Sequence, residues 1–250
     1  MSMEDLILLP GWGMEMPAWS SILKGLADVF RLHFVEWNGM RSTGCFRERV
    51  MRLADGRGMQ SFSILGWSLG SLVALDIACS YPLRVNQLIL LGGTSRFTVD
   101  ESGEYRAGWP REIVERLKVR LARDSERTLQ SFYRSMFSPG ELEKGDLERF
   151  LKSAVQRFRG VEEGSLLAGL DYLVEADYRG RMEEIQSPAL FIHGEEDLVC
   201  PPAASRYMAG RIRAKAGLRL IPGCGHLPHF TRANRCLKWI KEFTGVGKID

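Results

Sequence analysis

Six short apolar runs punctuate the chain: Leu6–Leu9, Leu32–Trp37, Phe62–Leu65, Val85–Leu91, Ala189–Ile192 and Leu218–Ile221. Most are continuous rather than alternating, as expected of strands covered on both faces of a parallel sheet. Helical spacing follows the first three: Trp19, Ile22, Leu23 and Leu26 after Pro17, then residues 45–54, then Leu72, Val73, Leu75 and Ala78 up to Ser80. Pro10-Gly11, Asn38-Gly39, Tyr81-Pro82 and Gly92-Gly93 mark the stops. Strands alternating with helices at this spacing predict a doubly wound α/β sheet.

The rhythm changes between Arg96 and Gln186. That stretch is charged and helical in pattern, with breaks at Gly108-Trp109-Pro110, Asp124-Ser125, Ser138-Pro139-Gly140 and Gly160. Strands resume at Ala189, a helix follows Pro201-Pro202, and a last helix is expected from Thr231 to Phe243. The reading is an α/β core from residues 1–96 and 187–250 with a mostly parallel sheet, interrupted by a helical cap, residues 97–186. Such a cap would cover the carboxyl edge of the sheet, where open α/β sheets hold their ligands. An independent helical domain is the competing reading, and the resumed alternation counts against it.

Composition narrows the classes. In 250 residues the net charge is only +3, and no basic run is interleaved with aromatics, so nothing marks a nucleic-acid partner. Five scattered cysteines (45, 79, 200, 224 and 236) form no C-x-x-C, which argues against a disulfide framework or a zinc site. The acidic start, Met1-Ser2-Met3-Glu4-Asp5, does not resemble a secretion signal, and no apolar stretch reaches membrane-spanning length. A cytoplasmic protein with no membrane association is expected, and a monomer.

The chemistry gathers at Gly66-Trp67-Ser68-Leu69-Gly70, a G-x-S-x-G sequence between a strand and a helix. A serine on so sharp a turn has its hydroxyl lifted clear of the sheet, and the flanking glycines let the turn close. It needs a base and an orienter for that base. Asp197 follows the strand at 189–192 and His226 follows the strand at 218–221, so both candidates share the edge from which Ser68 projects. Glu195 and Glu196 compete with Asp197 for the orienter role. His193 reads as a core or supporting residue, and His33 and His229 as structural. The N–H groups of Leu69 and Trp12 are the candidate oxyanion donors, and the Trp12 ring a candidate wall of the acyl pocket. Neither a metal nor an organic cofactor is required.

The chain resembles the α/β-hydrolases over its whole length. Within them it is similar to the family of pimeloyl-[acyl-carrier-protein] methyl ester esterases. The matching residues are Gly11-Trp12-Gly13, the serine motif, Trp109-Pro110, Arg127-Thr128-Leu129-Gln130-Ser131-Phe132, Gly194…Asp197-Leu198-Val199-Cys200-Pro201 and Gly225-His226-Leu227-Pro228. The resemblance implies Ser68 as nucleophile, Asp197 as orienter and His226 as base. It also implies substrate contacts at Trp12, Ser68, Leu69, Phe132, Tyr133, Arg134, Ser135, Met136 and His226. It implies an acyl carrier protein as partner, held by basic cap residues: Arg127, Lys144 and Arg149. Small esters would serve as substrates in vitro. Pro10 where many relatives have histidine, Ser71 where a third glycine is common, and Ser131 in the cap are departures from that pattern. Spacing adds Arg116, Arg120, Arg123 and Arg127 as a basic stripe, with Glu112, Glu115 and Glu126 as neutralising neighbours. A generic short-chain carboxylesterase or thioesterase, and a non-catalytic binding protein of the same fold, are the alternatives.

Overall fold

The computed structural model describes residues 3–100, 102 and 104–245. Met1, Ser2 and residues 246–250, the outermost parts of the two expected core segments, lie outside the described residues. Six strands form one sheet: β1 (Glu4–Leu9), β2 (Phe30–Phe34), β3 (Phe62–Trp67), β4 (Val85–Leu91), β5 (Ala189–Gly194) and β6 (Ala216–Ile221). Their spatial order is β2-β1-β3-β4-β5-β6 and every pairing is parallel. The apolar runs become the central strands, buried over their carboxyl-terminal residues, whereas the edge strands are more open: β2 buries only Phe30 and His33, and β6 only Ile221.

Helices α1 (Ser20–Ala27), α2 (Cys45–Gly56) and α3 (Leu69–Ser80) connect the first four strands. In α3 every residue from Leu69 to Cys79 is buried, because the helix lies between the sheet and its neighbours. Its one buried carboxylate, Asp76, takes hydrogen bonds from Arg47 at 3.0 Å and Ser80 at 3.3 Å, so the charge is not left unpaired.

Between β4 and β5 run α4 (Arg111–Arg123), α5 (Ser125–Ser135), α6 (Pro139–Glu143), α7 (Asp146–Ser153) and α8 (Glu163–Glu175). The breaks read at Asp124-Ser125 and Ser138-Pro139-Gly140 separate helices, but each also starts one. Asp124 caps α5 by accepting the Arg127 N–H, and Ser138 and Glu141 form a reciprocal capping box on α6. The two ends of the insertion are tied together: Arg96 bridges Asp177 along the backbone and pairs with its carboxylate at 2.8 Å.

After β5 come α9 (Pro202–Ala209), then β6, α10 (Pro228–Thr231) and α11 (Ala233–Thr244). Three expected elements need correction. The strand expected at 32–37 is Phe30–Phe34; Val35 and Trp37 are buried for another reason, Trp37 donating its indole N–H to the Pro10 carbonyl. The helix expected from Pro17 begins as a 3-10 turn, Met16–Trp19, before α1. The last helix, expected from Thr231, starts at Ala233, because Arg232 leaves helical geometry at φ −133° and ψ 38° and separates it from the short turn α10.

Two glycines show how the sheet and α3 meet. A Cβ on Gly70 would collide with the Leu9 carbonyl, and one on Gly66 would lie 2.6 Å from the Gly70 oxygen. The start of α3 therefore rests directly on the ends of β1 and β3. Gly70→Ala is expected to lower the unfolding free energy by about 3 kcal/mol or more, while Gly56→Ala, where a Cβ meets open space, is expected to be neutral or to stabilise by up to about 1 kcal/mol. Urea unfolding of the two variants checks this, and similar midpoints would contradict it.

Candidate active site

Ser68 links β3 to α3 at φ 55° and ψ −118°, the only non-glycine residue with positive φ among the described residues. Such a backbone persists only when its surroundings impose it. Here the Ser68 N–H donates to the Leu91 carbonyl at 3.0 Å, and the Ser71 hydroxyl donates to the Ser68 carbonyl at 2.6 Å. Ser71, a departure from the family pattern, thus holds the turn. Gly93 makes room for it, since a Cβ there would come within 2.5 Å of the Ser71 hydroxyl.

Asp197 and His226 arrive on the loops after β5 and β6. Gly194 is what allows these loops to touch: a Cβ there would collide with the carbonyls of Cys224 and Gly225. His226 Nδ1 lies 2.7 Å from Asp197 Oδ2, and both side chains are fully buried. The other oxygen of Asp197 accepts the N–H groups of Val199 and Cys200 at 2.8 and 2.9 Å. Burial opposes the charge on Asp197, but the facing His226 and the hydrogen bonds from His193 and His226 together hold its carboxyl well below the usual carboxylate range. Asp197 is the carboxylate on His226; Glu195 and Glu196 instead donate backbone N–H groups to Ile221 and Cys224.

The imidazole is aimed by further contacts. The His226 N–H donates to the Met136 carbonyl at 2.7 Å, and the Trp67 indole N–H donates to the His226 carbonyl at 2.9 Å. Its Nε2 is buried without a hydrogen-bond partner among the described residues. With Nδ1 engaged by a carboxylate, Nε2 is the nitrogen left to take a proton.

The loop after β1 supplies the opposite wall. A Cβ on Gly11 would lie 3.4 Å from Cβ of Ser68, so this loop and the serine turn are in van der Waals contact. The backbone N–H groups of Trp12 and Leu69 donate to no protein acceptor among the described residues. Leu69 is the first residue of α3, whose N-terminus favours negative charge. The Trp12 ring donates to the Leu166 carbonyl at 2.7 Å and meets Phe132 edge-on at 5.0 Å.

Ser68 and Trp12 line a small apolar chamber of about 20 Å³ together with Phe97, Trp109, Leu117, Phe132 and Leu170. Three of these, Trp109, Leu117 and Phe132, also line a cleft of about 650 Å³ between α4 and α5. Arg120, Arg123 and Arg127 stand around that cleft, none of them in an ion pair among the described residues. Glu115 is committed to Arg111 and Lys118, so it does not neutralise them.

Of the contiguous segment expected to touch substrate, Phe132 and Ser135 face the cleft. Tyr133 is buried against Phe150, Arg134 is exposed and lines neither cavity, and Met136 offers its carbonyl to His226. A helix turns 100° per residue, so positions i and i+3 share a face while a contiguous run cannot. Of the basic residues expected to dock a partner, only Arg127 is at the cleft. Arg149 pairs with Asp146 and covers the Phe230 ring, and Lys144 follows α6.

The sequence reading missed Gly92. At φ 51° its hydrogen faces the pair, since a Cβ would lie 3.0 Å from His226 Nδ1 and 3.3 Å from Asp197 Oδ2. In the sequence the Gly92-Gly93 doublet at the end of β4 signals a strand stop, and nothing local distinguishes that from this second role. His193, read as a supporting residue, has Nε2 3.1 Å from Asp197 Oδ2 and 2.7 Å from the Cys200 carbonyl.

The alpha/beta hydrolase fold family model matches residues 6–233. The chain therefore belongs to the α/β-hydrolase family. Among curated relatives it is similar to the pimeloyl-[acyl-carrier protein] methyl ester esterase of Nitrosomonas europaea, 32% identical over 232 positions that span 90% of this chain and 89% of the relative. It is 34% identical to the protein of the same name from Pectobacterium carotovorum, over 96% of this chain and 93% of that one. The bromoperoxidase from Bacillus anthracis has a similar structure, with a TM-score of 0.87 at 18% identity, covering 98% of this chain and 92% of that one. The enol-lactonase from Burkholderia xenovorans follows at 0.82 and 18%, covering 98% and 92%. At these identities the two structures speak for the fold alone.

His229 gives the site region a pH signature. It is wedged between Trp19 and Trp67, and burial, then the nearby His226, push it down to about 3. In the unfolded chain it titrates near about 6.5, so between these values the unfolded state binds the extra proton and stability falls with acidification. Replacing it by His229→Phe is expected to reduce the stability lost between about pH 6.5 and about pH 5 by about 1.5 kcal/mol. Urea unfolding at both pH values checks this, and an unchanged pH slope would contradict it.

Proposed function

We propose that the chain is a serine carboxylesterase that hydrolyses the methyl ester of pimeloyl-acyl carrier protein, releasing methanol and the free pimeloyl carboxyl for biotin synthesis. One observation carries this reading: Ser68, His226 and Asp197 share one sheet edge in a chain whose relatives of that name match it over about nine-tenths of its length.

In the reading, Ser68 attacks the ester carbonyl as His226 Nε2 takes its proton. The N–H groups of Leu69 and Trp12 hold the oxyanion, and Asp197 steadies the imidazolium that forms. His226 returns the proton to the departing methoxide, and the same base then activates water to release the acid. Each step stays within this chain's own residues, so a monomer suffices.

The α4–α5 cleft is the entrance. An acidic carrier protein would be steered by Arg120, Arg123 and Arg127, and its acyl arm would pass Trp109, Leu117 and Phe132 to reach Ser68. This assignment replaces Lys144 and Arg149 with Arg120 and Arg123. The chamber of about 20 Å³ is too small for a pimeloyl ester, so α4 and α5 must part to admit it. No helix among the described residues is long and apolar enough to cross a membrane. A carrier-protein substrate suits the cytoplasm.

Ser68→Ala is expected to lower kcat on p-nitrophenyl acetate by about 10⁴-fold or more. Retained turnover would contradict the nucleophile assignment, and an inactive wild type would favour the binding-protein alternative. Arg123→Glu with Arg127→Glu is expected to cut kcat/KM for the carrier-linked methyl ester by about tenfold or more at low salt, leaving free methyl pimelate unaffected. Equal effects on both esters would contradict the docking surface. A preference for the carrier-linked thioester over the methyl ester would favour the thioesterase alternative.

A further inference from the structure

The loop that carries His226 is held from the cap side by a buried carboxylate. Glu141, in the first turn of α6, has no exposure to solvent. Its Oε2 accepts the N–H of Ser138 at 3.0 Å and, across the core–cap junction, the N–H of Gly225 at 2.9 Å. Its Oε1 faces the Arg232 guanidinium at 3.6 Å, and Arg232 donates to the Gly223 carbonyl at 3.0 Å. The Ser138 hydroxyl donates to the same Gly223 carbonyl at 3.2 Å. One residue beyond Gly225, the His226 N–H donates to Met136. The fit is close: a Cβ on Gly225 would meet the Met136 carbonyl and lie 2.8 Å from the Ser138 nitrogen.

Residues 223–226 are thus gripped by residues 136–141, and Glu141 is the charged member of that grip. An ionised acceptor makes shorter and stronger hydrogen bonds to N–H donors than a neutral one. A buried carboxylate is costly unless paired, and Arg232 pairs it. Nothing in the capping box alone requires the second bond: capping α6 uses Ser138, whereas the bond to Gly225 reaches a different part of the chain.

We propose that Glu141 is a positioning residue for His226, fixing the backbone that sets the imidazole against Asp197. The inference rests on the esterase reading above. It ties the base to the cap: the segment that closes over the site also sets where the proton acceptor stands.

The test uses the full chain and three variants. Glu141→Asp keeps the charge and the Ser138 hydroxyl cap on α6 but, one methylene shorter, withdraws its carboxylate from the N–H groups of Ser138 and Gly225. It is expected to lower kcat on p-nitrophenyl acetate by about 10- to 100-fold, as displacement of a reacting group by less than about 1 Å does, with KM nearly unchanged. Glu141→Leu is expected to do the same or more. Glu141→Gln keeps an oxygen that can accept both N–H groups and is expected to recover most of the rate. The proton between His226 Nδ1 and Asp197 gives a far-downfield NMR resonance, assigned by its loss in His226→Gln. It is expected to shift or broaden in the Asp variant and to return in the Gln variant. Wild-type kcat in Glu141→Asp, or a resonance unmoved in a folded Asp variant, would overturn the proposal. A merely structural role would lower the thermal midpoint in all three variants without separating Asp from Gln. The resonance reports on the loop whether or not an ester is turned over. A wild type inactive on every ester but with a resonance responsive to Glu141 would therefore sink the esterase reading and leave the positioning role standing.

Discussion

The structure depends on the backbone of one residue. Ser68 is held at a positive φ that costs a side-chain-bearing residue about 1–3 kcal/mol. That cost is met by packing that leaves no relaxed alternative. Helix α3 is buried on every side, and its first turn sits against the carbonyl of Leu9 and the end of β3. Relaxing the turn would lift α3 from the sheet and expose the apolar surface that both elements bury. Because α3 cannot retreat, Ser68 stays at the carboxyl end of β3, the edge where the loops after β1, β5 and β6 also begin.

Residues 97–186 meet this edge in two different ways. Around the loops that carry Trp12 and His226, the junction is polar and specific. Glu15 accepts the N–H groups of Arg159 and Gly160 at 2.8 Å, Trp12 donates to Leu166, Ser165 accepts the N–H of Gly39, and Glu141 accepts that of Gly225. Around α4 and α5 the contact with the chamber is apolar: Trp109, Leu117 and Phe132 close it without directional bonds. Hydrogen-bonded groups that lose their partners in a dry junction pay a desolvation penalty, while apolar surfaces can slide. The junction at residues 136–141 and 159–166 is thus held by directional bonds, whereas that at Trp109, Leu117 and Phe132 is held by apolar contact alone.

Much of this was legible in the residues themselves. The runs at Leu6, Phe62, Val85 and Ala189 became the central strands because their apolar residues are covered on both faces of the sheet, and only the start of β4, at Asn86 and Gln87, is open. Ser68, Asp197 and His226 could be placed on one edge because each follows a strand, and parallel strands end on the same side. What sequence could not show was rotation about a helix axis and reach across chain. The run 132–136 splits between the cleft and the core because a helix turns, and Arg149 pairs with Asp146 away from the cleft. Glu141 escaped notice although its capping box, Ser138-Pro139-Gly140-Glu141, was in plain view. Its second bond joins positions 84 apart, and no local pattern encodes that. Gly92 escaped for a related reason, since the groups it makes room for come from two other loops.

On the proposed mechanism this geometry makes one serine nucleophilic and leaves the others inert. Treating the protein with a fluorophosphonate, then measuring intact mass and mapping the adduct by peptide sequencing, tests it most directly. The account predicts a single adduct, on Ser68, formed rapidly at neutral pH and absent after unfolding in urea. A chain that remains unlabelled, or an adduct on any other residue, would contradict it.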